Sequence, residues 1–367
     1  MKAMAQCKRC GKKGFFLELF GDGLCRACYD KEQEMQEQFR ADELRIATQV
    51  YDETAVCYQR ALQDPYASTL KELRESLVSA ERCCELLRTW DQTPRITEAL
   101  LNDGYQWVDG EIDNNVFRTL PVQSGKVRYD KILNLVMDQI AQKQDIIRKS
   151  TEFEMVLGAI RQSPPPVATA LPFEFRTDVP LFKESNITAR TRIASVNTFV
   201  AIDTETTGLS ITEDEIIQIS AVKFVNFQPI EAWTSYVKPK KGLKARAQEI
   251  NHITDEDVRD APDLEEAISA FDAYLEGTSP IVGHNLSFDY NFLLANGSRV
   301  MAENILGKRK FFDTLSLAKR EYRSSRNSLD YLCRVILHIA RDDAHSALSD
   351  AVAAGLLFSD ICRRRVE

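Results

Sequence analysis

The run Phe199-Val200-Ala201-Ile202 is apolar, short and rich in β-formers, and it ends in Asp203 with Glu205 two positions on. Such a run suits a buried strand rather than a helix. The two-residue period of a strand then puts both carboxylates on one face. Two like charges beside an apolar strand repel each other and are costly to bury unless a cation joins them, and oxygen-only donors favour Mg²⁺ or Mn²⁺. The strand is therefore half of a metal site, and the rest of the domain must bring the other half to it. Thr206, Thr207 and Gly208 follow, small residues that let a ligand approach the backbone, with Gly208 suited to a turn.

Two later stretches offer the missing ligands. IVGHNLSFDYNFLL reads as a short strand at Ile281 and Val282, a turn, and a helix carrying Asp289; in DAHSALSDAVAAGLLF, His345 precedes Asp350 by five positions. Five residues of regular helix turn through about 500°, which leaves the two side chains about 140° apart. They converge only if His345 lies at or before the helix start. Asp342 and Asp343 just upstream suit a helix N-terminus there.

The set Asp203, Glu205, Asp289, His345 and Asp350, in three motifs in this order, resembles the DEDDh family of 3′→5′ exonucleases. That family includes the proofreading subunit of bacterial replicative polymerases, ribonuclease T and oligoribonuclease. The likeness covers roughly the last 170 residues. It implies a ribonuclease-H-like α/β fold, a mixed five-stranded sheet flanked by helices, with the catalytic side chains at strand ends. It also implies two Mg²⁺ or Mn²⁺ ions: Asp203 bridging them, Glu205 and Asp350 on the first, and Asp289 supporting the second, partly through water. His345 would be the general base, since an ordinary imidazole titrates near neutral pH. A sister family has a tyrosine four residues before its last aspartate, where this chain has Ser346.

Thr206 and Leu209 correspond to residues that contact the terminal nucleotide in the resembled family. Phe288 and His284 are further candidates for the nucleotide site. Phe288 either packs against a base or fills the core. His284, with Asn285, is placed to orient the backbone ahead of the Asp289 helix, whereas His252 and His338 carry no assignment. The expected substrate is the 3′ end of nucleic acid, single-stranded DNA foremost. RNA remains open because no motif here reads a 2′-OH. A catalytically idle nuclease fold used as a scaffold is a third reading, against which the complete five-residue set stands.

At the other end of the chain, Cys7-x2-Cys10 and Cys25-x2-Cys28 are separated by fourteen residues. Paired thiolates at this spacing suit one tetrahedral Zn²⁺, and four protein ligands make such a site structural. Disulfides or a redox CxxC are the alternative, disfavoured by the doubled motif and by a cytoplasmic setting. That setting is read from MKAMAQCKRC, which lacks the apolar core of a signal peptide, and from the want of any apolar run near the roughly 20 residues needed to span a membrane. The second Cys pair is expected to open a helix. Cys57, Cys83, Cys84, Cys333 and Cys362 have no ligand spacing and read as ordinary thiols.

Between the two ends, helical spacing at Leu44, Val50 and Tyr51 and again at Leu70, Leu73, Leu77 and Leu86 predicts two long helices separated by Pro65. A third is expected over Tyr129 to Ile160, after turns in 91–126. These helices bury their own faces or offer a surface for nucleic acid, a protein partner or self-association. SPPP from Ser163 marks a stiff linker. The expected organisation is a zinc module over 1–30, a helical region over 31–162, a Pro-rich linker over 163–195 and the nuclease domain over 196–367. Net charge of −8 argues against a generally basic nucleic-acid coat, so any such surface must be local.

Overall fold

The computed structural model describes residues 4–14, 17–92, 122–123, 126–127, 130–162, 193–275, 280–303, 310–341 and 345–365. The chain forms two compact units, Met1–Pro65 with Leu73–Lys143, and Tyr66–Glu72 with Gln144–Glu367. The SPPP linker, most of the turns expected over 91–126, and Asp342 and Asp343 lie outside the described residues.

The first unit opens with two small antiparallel hairpins, β1 (Ala5–Gln6) with β2 (Lys13–Gly14) and β3 (Leu19–Phe20) with β4 (Leu24–Cys25). Helix α1 (Arg26–Ala61) begins immediately after Cys25, so the second Cys pair does open a helix. Helix α2 (Leu70–Gln92) follows beyond Pro65. A third hairpin pairs β5 (Val122–Gln123) with β6 (Lys126–Val127), and α3 (Asp130–Gln162) follows. Tyr58, Ala61, Ala80, Cys83, Leu87 and Val136 make a shared apolar core. Lys143 is fully buried there, and its ammonium donates to the carbonyls of Ala61 and Gln63 and to Gln139 Oε1 at 2.8, 3.1 and 3.1 Å. A buried cation needs such acceptors, and the end of α1 supplies carbonyls that would otherwise lack donors.

The second unit is a mixed five-stranded sheet. Its strands are β7 (Thr198–Thr206), β8 (Ile216–Val225), β9 (Gln228–Tyr236), β10 (Ile281–Gly283) and β11 (Phe311–Asp313), in the spatial order β11-β10-β7-β8-β9. β7 runs antiparallel to β8 and parallel to β10, and β8 and β9 form the antiparallel edge. Around the sheet stand α4 (Ala245–Asn251), α5 (Asp255–Arg259), α6 (Leu264–Leu275), α7 (Ser287–Ala295), α8 (Arg299–Glu303), α9 (Thr314–Glu321), α10 (Leu329–Leu332), a π-helical turn over Cys333–Leu337, and α11 (Ala347–Arg364). Side chains alternate along β7: Phe199 and Ala201 enter one apolar layer, Val200 and Ile202 the other. Both faces of the central strand are thus covered, which is why its sequence reads as an unbroken apolar run.

Helix α11 approaches the sheet as closely as its residues permit. A Cβ added to Gly355 would lie 2.3 Å from the Phe224 ring on β8, and Phe224 is itself stacked on Phe199 with centroids 4.7 Å apart. Only glycine admits this contact. It fixes the depth of the helix that carries Asp350.

The core of the second unit begins earlier in the chain than the linker suggests. Phe153, Leu157 and Ile160 of α3 are buried in the same layer as Phe199, Phe224 and Phe358. Asp145 lies 2.8 Å from His338 Nδ1, and this hydrogen bond above all holds its carboxyl down at about 2. Ser150 Oγ accepts from the Ala340 amide at 2.9 Å. His338, unassigned in the sequence, is therefore a tie between α3 and the segment leading to α11. Burial of the three apolar side chains contributes on the order of 5 kcal/mol. A fragment starting at Gln144 should therefore unfold at clearly higher urea than one starting at Thr188; equal midpoints would mean that α3 adds nothing to this unit.

Candidate active site

The two carboxylates of the central strand hang from paired backbone, not from a loop. β7 continues through Thr206, with Asp203 opposite Ser220 and Glu205 opposite Gln218 on β8. This extends beyond Asp203, where the apolar run alone would end it. The register shifts between Glu205 and Thr206, a bulge that turns the chain out of the sheet beside the acids. Asp350 sits in the first turn of α11. Carboxylate oxygens of Asp203, Glu205 and Asp350 all lie within 4.8 Å of one another.

Asp289 is buried in the first turn of α7 and stands outside that group of three. Its Oδ1 accepts from the Thr204 amide at 2.8 Å and from Thr204 Oγ1 at 2.7 Å. His345 precedes Ser346, the N-cap of α11, so it lies before the helix start, as convergence with Asp350 requires. Its backbone turns there with φ 67°, its side chain is 51% exposed, and its Nε2 lies 3.9 Å from Asp330 Oδ2.

Four residues that sequence reasoning missed complete the setting. The Arg341 guanidinium, with a side chain only 2% exposed, bridges Asp350 and Asp330. It is the cation that meets the carboxylate cluster from within the protein, and Asp330 thereby faces both Arg341 and His345. The Asn251 side chain hydrogen-bonds Glu205. Gln218 Oε1 accepts from the Ala347 amide at 3.1 Å, tying the start of α11 to the strand opposite Glu205. Gln218 did carry a signal, since a polar residue inside the run Ile216-Ile217-Gln218-Ile219 needs a partner if buried. Arg341, Asp330 and Asn251 carried none, because their partners are distant in sequence.

Burial raises the carboxyl of Asp203 well above its usual range, and the neighbouring charges of Asp289, Asp350 and Glu205 push the same way. Burial and the charges of Asp350 and Asp289 lift Glu205 to about 8, against the Asn251 hydrogen bond. Asp289 is raised to about 7 by burial, although both Thr204 hydrogen bonds oppose this. Acids held this high exchange protons for cations readily.

Leu209, 85% exposed, projects from the turn after β7, and Thr206 Oγ1 donates to the Gly208 carbonyl at 2.6 Å. Gly208 proves necessary for packing, since a Cβ there would lie 2.4 Å from the Asp214 carboxylate. Phe288 is half-buried and rests on Phe292 with centroids 4.8 Å apart, so it packs at least in part against the protein's own core. Both nitrogens of His284 are engaged within the protein, Nδ1 with Thr314 Oγ1 at 2.9 Å and Nε2 donating to the Asn327 carbonyl at 3.0 Å. It lies in the turn ahead of α7, and burial lowers its pKa.

At the N-terminus, the sulfurs of Cys7, Cys10, Cys25 and Cys28 lie within 4.8 Å of one another, and Cys10 and Cys25 are 3.7 Å apart. Zn–S bonds of about 2.3 Å in a tetrahedron put sulfurs about 3.8 Å apart, so the cluster fits zinc. Backbone N–H groups of Cys10 and Cys25 lower Cys7 to about 6, while burial and the other three sulfurs push Cys28 up to about 12. None of the nine cysteines is in a disulfide.

The site thus combines a strand-borne carboxylate pair, a third acid in the first turn of α11, a buried fourth acid and a histidine just before α11. Residues 200–358 match the family described as Exonuclease. This part of the chain is similar to DNA polymerase III PolC-type of Thermotoga petrophila, with 37% identity over 164 residues, 44% of this chain and 12% of that protein. The corresponding protein of Bacillus subtilis is 32% identical over 177 residues, 48% of this chain and 12% of that one. The chain thus spans about 12% of the length of the curated relatives it matches. Among solved structures, exonuclease X in complex with 5′ overhanging duplex DNA aligns with 45% of this chain and 92% of its own, at 24% identity and a TM-score of 0.37. No helix among the described residues is long and apolar enough to cross a membrane.

The raised acids would make metal binding at this cluster pH-dependent. Folded, metal-free protein retains protons on Glu205 and Asp289 that the unfolded chain releases near pH 4, so these groups lower stability as pH rises from about 4 to about 8. A divalent cation displaces those protons and removes the penalty. The rise in melting temperature on adding Mn²⁺ should therefore be larger at pH 8.5 than at pH 6, by scanning calorimetry. The Asp203→Asn variant should lose most of that rise, and a rise independent of pH would rule the cluster out as the binding site.

Proposed function

We propose that the chain is a metal-dependent 3′→5′ exonuclease that hydrolyses phosphodiester bonds at the 3′ ends of DNA. The single observation that carries the reading is the convergence of Asp203, Glu205 and Asp350 within 4.8 Å, with Asp289 and His345 flanking them. Asp203, Glu205 and Asp350 would hold one divalent ion, and Asp203 with Asp289 a second. When bound, the ions supply charge neutralisation at the attacked phosphate and at the departing oxygen, and they make water more acidic. His345 takes a proton from the attacking water on a ring nitrogen and, being half exposed, passes it to solvent. Asp330 faces that imidazole and restrains its orientation. Leu209 and Phe288 present apolar surface to the terminal base and sugar. DNA is favoured over RNA by the similarity to DNA polymerases III of the PolC type.

The test compares end-labelled single-stranded DNA, duplex DNA and RNA with Mg²⁺ or Mn²⁺. The expected product is a ladder shortened one nucleotide at a time from the 3′ end, stopped by chelation. Asp203→Ala should reduce activity to background, and His345→Ala should lower kcat by about 10²–10⁴-fold while leaving metal affinity nearly unchanged. Full activity in Asp203→Ala would remove this site from the reaction.

The four-cysteine cluster is proposed to hold one structural Zn²⁺ in a module separable from the nuclease domain. Soft thiolates and hard carboxylates do not compete for each other's metal. Cys25→Ser should release about one equivalent of zinc by mass spectrometry and leave single-turnover cleavage of a short oligonucleotide unchanged. Loss of that cleavage would mean the module helps build the active centre.

A further inference from the structure

The segment Lys238-Pro239-Lys240-Lys241-Gly242-Leu243-Lys244-Ala245-Arg246 holds five cations in nine residues, in a chain whose net charge is −8. All five are exposed. Such a concentration of like charge raises the local electrostatic energy, which ties to the backbone can offset. Here the ties are specific. Glu215 Oε1 and Oε2 accept from the amides of Lys240 and Lys241 at 3.0 and 2.8 Å, and Lys241 Nζ donates to the Glu213 carbonyl at 2.8 Å. Lys244 pairs with Asp214.

The same acids hold the turn that carries Leu209. Asp214 accepts from the Ser210 amide at 2.9 Å and from Thr207 Oγ1 at 3.2 Å, and the Glu215 amide donates to Thr207 Oγ1 at 2.9 Å. At its far end the basic segment runs into α4, whose Asn251 bonds Glu205. The segment is therefore one structure with the mouth of the carboxylate site. Nearby acids do not cancel it: Asp214 is committed to Lys244, the Glu215 carboxylate faces backbone amides, and Glu213 and Glu249 are single exposed charges. Among the described residues, Lys238, Lys240 and Arg246 form no ion pair.

We propose that this segment is a phosphate shelf: Lys238, Lys240 and Arg246, with Lys241 and Lys244 behind them, hold the sugar-phosphate backbone of a nucleic-acid strand 5′ of the nucleotide being removed. The inference rests on the exonuclease reading for the direction of the strand but not for binding itself. Cations that contact backbone phosphates act without base preference and through release of counterions, so their signature is salt dependence and strand length. A mononucleotide ester does not reach them.

The experiment uses the full chain and the triple variant Lys238→Ala/Lys240→Ala/Arg246→Ala. Binding of fluorescein-labelled dT20 and dT3 is followed by anisotropy without added divalent metal, and cleavage of dT20 and of p-nitrophenyl thymidine phosphate is followed with Mn²⁺. The triple variant should bind dT20 about tenfold or more weakly near 0.1 M salt, with a slope of log affinity against log salt shallower by about 2. Its affinity for dT3 and its turnover of the mononucleotide ester should match the parent. The double variant Lys319→Ala/Arg320→Ala, on the exposed end of α9, should leave all four readouts unchanged. Equal dT20 affinity and salt slope in the triple variant, or an equal loss in the α9 variant, overturns the shelf. If the parent binds dT20 with the expected difference yet cleaves neither substrate, the shelf stands and the exonuclease reading fails.

Discussion

Crowding of negative charge at the end of one strand is the constraint on which the C-terminal unit depends. Asp203 and Glu205 share a face of β7, Asp350 is brought within 4.8 Å of both, and Asp289 is buried close enough to raise them further. Such an arrangement is unfavourable in the bare protein and persists only because the scaffold over-determines it. The scaffold does so with contacts that have nothing to do with chemistry. Gly355 against Phe224 sets the depth of α11, Gln218 fixes its first residue, and Thr204 holds Asp289.

Arg341 moderates that crowding from inside. Buried between Asp350 and Asp330, it offsets part of the repulsion without entering the gap between the strand acids. Its position is secured by the segment His338–Arg341, which Asp145 and Ser150 of α3 hold through His338 and the Ala340 amide. A helix whose sequence resembles any amphipathic helix is thereby part of what positions a charge at the carboxylate cluster. This also explains why the core of the unit reaches back to Phe153.

The thiol cluster and the carboxylate cluster follow the same rule with opposite chemistry. Thiolates gathered by backbone amides at the end of a hairpin suit a soft, closed, tetrahedral ion, and carboxylates at a strand end suit hard ions with room for substrate. In each, the fold gathers groups of like charge that a bound cation would balance.

Much of this was legible in the chain, because the signals were local. An apolar run broken by Asp203 and Glu205, the five-residue offset of His345 from Asp350, and the doubled Cys pairs each report on geometry within a few residues, and the strands and helices fall close to where periodicity puts them. Asp289 was recognisable only by its motif. What tertiary structure alone decided was pairing between residues far apart: Arg341 with Asp330, Asn251 with Glu205, Ser150 with Ala340, and the fixing of the Lys238–Arg246 segment by Glu215. The physical reason is that periodicity and turn chemistry act over one or two turns of chain, whereas a buried charge or a crowded face is satisfied by whichever partner the packing of the sheet brings near.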